Sequence, residues 1–286
     1  MKNSILIISL VISIVLCSCK EKTQKETKKL PERKQPKEVL YHLENTKEWL
    51  AANTGVGVNT QLSIVIAVNR TDKANLVKMD SILVPSDRSG DVAYYLPFPF
   101  EVPYLKDVNK IIFFSYPTQT FGAYENGILV YTGQTNMGRK NDPSPTGLFY
   151  TNWKAEKTTS TFNDEWDLLW NFNIANKLGV GWHQYELPGY PASHSCLRLQ
   201  EKDACYLYTW ADQWVLADAE TVQVKGTPVI IFGSYDFSAP KPWLQLVANP
   251  HALDISAAEI EKQTASYLSK ILSQQKVRVA FESQKK

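Results

Sequence analysis

Residues 191 to 199 read PASHSCLRL, which places Ser193, His194, Ser195, Cys196 and Arg198 inside six positions of a 286-residue chain that has only four cysteines and four histidines. In an extended segment alternate side chains face opposite ways. Leu197 and Leu199 are therefore expected in the core, with His194, Cys196 and Arg198 on the other face. A thiol presented between two cationic side chains has a lowered pKa, so the nucleophilic thiolate is available near neutral pH. Its proton acceptor is expected to be His183, in GVGWHQYE, thirteen residues upstream of the cysteine. On a strand, Gly181, His183 and Tyr185 share one face, and Gly181 leaves space beside the imidazole. The loop ELPGYPA then returns the chain so that Cys196 meets His183. His183 would deprotonate Cys196 and later protonate a leaving amine. Two other readings compete: a core histidine bonded to backbone, and a zinc site from His183, His194, Cys196 and Cys205, although an HxC pair on one strand fits no strong zinc spacing.

The elements that must position these residues follow from pattern. KIIFFSY is a buried strand, and QTFGAYENGILVYTG is two strands around Asn126-Gly127, a strong hairpin signal. PSPTGLFYTNW and the aromatic stretch EWDLLWNFNIANKLGVGWHQYELPGYP lead to the cluster. QEKDACYLYTWAD, residues 200 to 212, has Ala204, Leu207, Tyr208 and Ala211 at helical spacing, with Cys205 at the stripe's margin as a small buried residue. VKGTPVIIFGSYDF closes with a buried strand. Residues 108–236 thus read as a mainly β domain with one helix packed on it. Upstream, residues 40–107 form a small α/β subdomain in which EVLYHLENTKEWLAANTG is an amphipathic helix ending at Gly55. Residues 237–286 are a C-terminal helical tail built on ISAAEIEKQTASYLSKILSQQ.

The N-terminus reads as an address. Lys2 precedes ILIISLVISIVL, the length of a signal-peptide core and short for a membrane span. Leu16, Ser18 and Cys19 in LCSC resemble a bacterial lipobox, so residues 1–18 are expected to be removed and Cys19 lipidated. The alternative is an ordinary secretory signal. Residues 19–39 are dominated by charge, cannot order themselves by burial, and read as a tether. Only Cys196 and Cys205 are then left as thiols within the fold, and in an exported chain a disulfide between them competes with the free-thiol reading. The net charge of +2 and the lack of a basic, aromatic-interleaved patch give no case for nucleic-acid binding. No residue found implies a metal or organic cofactor, and a monomer is expected.

Two family resemblances follow from these motifs. VNRTDKANLVKMDSILVP, within residues 60–86, resembles the second half of a glycan-binding LysM module, with Met79 where that pattern has glycine. A structural subdomain packed on the enzyme is the competing expectation. H(183)QYELPGYPASHSCLRL resembles the active-site signature of the L,D-transpeptidases, the YkuD family: an upstream His, then Ser/Thr-His-Gly-Cys, a hydrophobic residue and Arg. The hairpin, the element Ser144-Pro145-Thr146-Gly147 with Phe149, and KGTPVIIFG resemble further motifs of that family in the same order, over about residues 110–233.

The resemblance implies an L,D-transpeptidase-like β-sandwich that attacks the amide between the third and fourth residues of a peptidoglycan stem. The terminal D-residue is expelled, the donor is held as a thioester on Cys196 with His183 as base, and an amine resolves it. His194 and Arg198 match positions near the nucleophile. They would orient the loop and the substrate carboxylate or oxyanion, or, for Arg198, anchor the structure; the backbone N–H of Cys196 is an expected oxyanion donor. Tyr185, Ser193, Ser195, Gly189 and Trp182 are expected to line the substrate groove. Ser195 departs from the family's glycine: a positive φ would cost on the order of 1 kcal/mol, whereas an extended backbone makes it a tolerated inward neighbour of Leu197, and the sequence does not choose between the two. The chain is thus expected to be a lipid-anchored envelope enzyme facing the periplasm, held in the outer membrane. An L,D-carboxypeptidase or peptidoglycan amidase using the same thioester, and a non-catalytic wall-binding lipoprotein, are the alternatives.

Overall fold

A computed structural model describes residues 31–54, 58–159 and 167–285. The signal segment, Cys19, most of the tether and Gly55 lie outside the described residues. The chain opens with β1 (Tyr41–Asn45), α1 (Thr46–Ala52), α2 (Val58–Val68), α3 (Lys73–Leu76) and β2 (Ser81–Pro85), and β1 pairs antiparallel with β2. The single helix expected from residue 38 onward is therefore a strand followed by a helix. The break falls at Asn45, whose extended backbone and side-chain oxygen cap the amides of Lys47 and Glu48. Helix α2 is apolar on two faces. Leu62, Val65 and Ile66 pack with Trp49, Leu76, Ile82 and Val84, while Ile64 and Val68 pack with Tyr41, Leu83, Tyr95, Trp243 and Leu246.

The central region runs β3 (Ile111–Ser115), β4 (Thr120–Glu125), β5 (Ile128–Gln134), β6 (Gly147–Tyr150), β7 (Lys154–Thr159), β8 (Asp167–Ala175), β9 (Val180–Gln184), β10 (Leu197–Leu199), α4 (Glu201–Trp210), β11 (Val215–Leu216), β12 (Val222–Val224) and β13 (Pro228–Phe232). It is mainly β. One mixed sheet has the order β5-β4-β3-β13-β6 and a second has the order β10-β9-β8-β7. Alternation along each strand decides the layers. Ile112, Phe114, Val229 and Ile231 face Phe172, Ile174, Trp182, Leu197 and Leu199 across the interior, which Ala204 and Leu207 of α4 help fill. Ile111, Phe113, Ile230 and Phe232 face the opposite way. The hairpin at Asn126-Gly127 has positive φ at both residues, 50° and 79°, as the tight turn between twisted strands requires.

The tail forms two helices, α5 (Ala257–Ala265) and α6 (Leu268–Ser283), whose Ile260 and Ile271 cover the outer face of the first sheet. The segment before them is not a free tail: Trp243 and Leu246 join the apolar cluster beneath α2.

Candidate active site

Strands β9 and β10 pair in parallel, with Trp182 opposite Leu197, Arg198 opposite His183 and Leu199 opposite Gln184. Parallel neighbours need a crossover of roughly a dozen residues, and residues 185–196 supply it. The register sets His183 beside Arg198 on the face away from the core. His183, Tyr185, Ser193, His194, Cys196 and Arg198 all line one cavity of about 120 Å³. Trp182, expected in the groove, is instead fully buried in the core, because alternation sends it opposite to His183.

His183 is 5 % exposed. Its Nδ1 lies 3.0 Å from the Gln184 carbonyl oxygen, and since a carbonyl only accepts, Nδ1 carries the proton and Nε2 presents a lone pair. Burial pushes the imidazole down to about 4; the Gln184 contact opposes this and Arg198 adds to it. The cysteine corrects the sequence expectation. Burial pushes the Cys196 thiol up, outweighing the Gly181 backbone N–H and the Arg198 charge that pull it down. Both directions favour a neutral thiol beside a neutral imidazole, so an attack by Cys196 sulfur would require a base to take its proton. The thiol also lies 3.8 Å from the Gly179 carbonyl oxygen. The Arg198 guanidinium lies over the Tyr185 ring, 4.3 Å from its centroid.

Ser195 adopts φ 79°, so the left-handed alternative holds and the extended one is excluded. The kink is held from outside the strand. Ser144 Oγ accepts from the Gly138 N–H at 2.9 Å and donates to the Ser195 carbonyl at 2.8 Å, and Ser195 Oγ donates to the Asp142 carbonyl at 3.3 Å. Gly181 also differs from expectation. A Cβ there would stand 2.3 Å from the Phe172 carbonyl oxygen, so its function is close approach to β8 and not space beside the imidazole. Gly189, expected in the groove, has φ 81° and faces Met79 and Asn69 of the N-terminal segment.

Sequence reasoning missed the other wall. Trp153, Thr158, Thr159, Leu168, Asn171 and Asn173 line the same cavity. Leu168 and Asn171 have opposite parity along β8, and they share the cavity because the register shifts between Leu169 and Phe172, where Trp170 has φ 54°. Such a bulge exchanges the two faces, and no composition signal at an aromatic residue announces it. Asn136 was also missed. Its side chain bonds the Tyr190 carbonyl and the Ala192 N–H, while its backbone exchanges two bonds of 2.9 Å with Arg198.

Residues 109–231, less than half of the chain, match the family model of YkuD, described as the L,D-transpeptidase catalytic domain. No curated protein matches the sequence. Among solved structures, the chain is similar to an L,D-transpeptidase from Xylanimonas cellulosilytica (22% identity, 49% of this chain and 66% of that one, TM-score 0.38). It is also similar to one from Stackebrandtia nassauensis (21%, 44% and 57%, TM-score 0.36) and to one from Mycobacterium tuberculosis (19%, 44% and 58%, TM-score 0.35). The match spans less than two thirds of the length of each of these structures.

Proposed function

We propose that the catalytic domain at 109–231, which matches the YkuD family, is a cysteine-dependent L,D-transpeptidase acting on peptidoglycan stem peptides. The observation that carries this reading is the shared cavity of Cys196 and His183, with the imidazole neutral and its Nε2 left as acceptor by the Gln184 contact. As His183 takes the thiol proton, the sulfur attacks the carbonyl between the third and fourth stem residues. The C–N bond breaks, the amine of the terminal D-residue leaves with the proton from His183, and a thioester remains on Cys196. An acceptor amine then attacks the thioester and gives up a proton to His183, and the sulfur leaves and recovers it. We assign the developing oxyanion to the Cys196 N–H. Arg198 makes no hydrogen bond or ion pair through its guanidinium among the described residues, and it lines the cavity; this supports a part in holding a stem carboxylate. His194, on the same wall, orients the loop. The lipid anchor on Cys19, the periplasm-facing outer-membrane location and the monomeric state belong to this proposal on the sequence reading alone.

The test is intact mass after incubation with a tetrapeptide stem. The parent should gain the tripeptide acyl mass and release the D-residue, and His183→Ala and Cys196→Ala should do neither. Addition of a second stem should yield a cross-linked product. Release of free tripeptide alone would make the enzyme a carboxypeptidase. Absence of any adduct on the folded parent would leave a wall-binding protein and overturn the reading.

A further inference from the structure

The crossover that joins His183 to Cys196 is fixed from two sides. Its second half is held by residues 136–144, through the contacts of Asn136 and Ser144. Its first half is held by the segment between α2 and α3, which belongs to the N-terminal helices. Thr71 Oγ1 donates to the Leu187 carbonyl at 2.8 Å, the Asp72 N–H donates to the same oxygen at 3.2 Å, and the Leu187 N–H donates to Asp72 Oδ2 at 2.6 Å. Thr71 also bridges Pro188. Both backbone groups of Leu187 are thereby satisfied by two adjacent residues more than a hundred positions away, and Thr71 and Leu187 are fully buried.

The clamp is itself anchored to the catalytic sheets. The Thr71 carbonyl accepts from the Gln134 and Gln200 side-chain amides at 3.2 and 3.3 Å, at the end of β5 and just after β10. The neighbouring Arg70, with φ 55°, donates from Nε to the Thr118 carbonyl at 2.7 Å. Asp72 Oδ1 accepts the Asn75 N–H at 2.8 Å, which caps α3, so one carboxylate joins the helix start to the crossover.

We propose that Thr71 and Asp72 are positioning residues for the Cys196–His183 pair. This rests on the assignment of nucleophile and base made above. The physical link is short: Leu187 lies three residues beyond Gln184, whose carbonyl holds the His183 tautomer. Releasing Leu187 frees the peptide units that follow β9 and lets the imidazole turn away from the thiol. With the base misaligned, the burial-raised thiol reacts only as far as it ionises by itself.

The readout is alkylation of Cys196 by iodoacetamide in the full chain as a function of pH, followed by mass on the peptide that carries Cys196 so that Cys17 and Cys19 do not contribute, with Cys205→Ser as the common background. Thr71→Val removes the hydroxyl at nearly constant volume, Asp72→Ser keeps a helix-capping oxygen but is too short for Leu187, and Thr71→Ser keeps the hydroxyl. Thr71→Val and Asp72→Ser should lower the rate near neutral pH by about tenfold and move the pH profile to the alkaline side, with Thr71→Ser restoring the parent curve. With tetrapeptide, the acylation rate constant should fall while the half-saturating concentration stays. Parent-like profiles in both variants would overturn the proposal. So would a rate that rises at every pH, which marks simple exposure of the thiol; if Asp72→Ser does not fold, Thr71→Val decides. Alkylation needs no stem peptide, so a parent that alkylates in this pattern but never acylates refutes the transpeptidase reading and leaves the clamp standing.

Discussion

Replacing His183 by glutamine should remove a specific part of the protein's acid sensitivity. Burial lowers the imidazole from 6.5 to about 4 in the folded state, whereas in the unfolded chain it titrates near its ordinary value. Between those two values the unfolded chain binds a proton that the folded one refuses. The corresponding stability is complete above about pH 6.5, declines as pH falls toward 4, and is wholly lost below the folded value. Comparing about pH 7.5 with about pH 4.5, the single-site linkage amounts to about 2–3 kcal/mol. Urea denaturation of the parent and His183→Gln at both pH values isolates it, since every other titrating group is common to the two proteins. The parent should lose about 2–3 kcal/mol more than the variant over this interval. Parallel losses would refute the placement of a neutral, buried imidazole, and with it the argument that Nε2 is free to act as base. The same shift puts the acid limb of the parent's acylation rate well below 6.5.

Ser195→Gly relieves the left-handed backbone at φ 79° but loses the contact to Asp142 and adds freedom to the unfolded chain. The net stability change should stay within about 1 kcal/mol, and the acylation rate should change by less than about tenfold, measured by thermal unfolding and by mass after short reaction times; an inert parent beside a reactive variant would show that the serine silences the site. Gly181→Ala must push β8 and β9 apart, because its Cβ would meet backbone at 2.3 Å. It should destabilise by roughly 2–4 kcal/mol, and unchanged unfolding would contradict the strand register.

Much of this protein was legible in its sequence, wherever the signal is local. The buried strand at 111–115, the Asn126-Gly127 hairpin and the inward pair Leu197 and Leu199 follow from period-two patterning and from turn chemistry that only a few residues satisfy. The grouping of Cys196 with His183 was legible for a related reason: His183 lies on β9, Cys196 directly precedes β10, and a crossover of workable length joins them. Three things were decided only by the tertiary structure. The ionisation of the pair was one, because desolvation depends on what else lines the cavity: flanking cations predict a lowered thiol, while the packed cleft raises it and lowers the imidazole. The φ of Ser195 was another, since it is imposed by Ser144 and Asp142, some fifty residues away, and not by its chain neighbours. The third was the far wall of the cleft and the clamp on Leu187. A bulge at Trp170 inverts the parity on which strand reading depends, and the bonds from Thr71 and Asp72 to Leu187 leave no periodicity in either segment. Hydrophobic pattern records which face of an element is buried; it carries no information about which distant backbone group a buried polar side chain will satisfy.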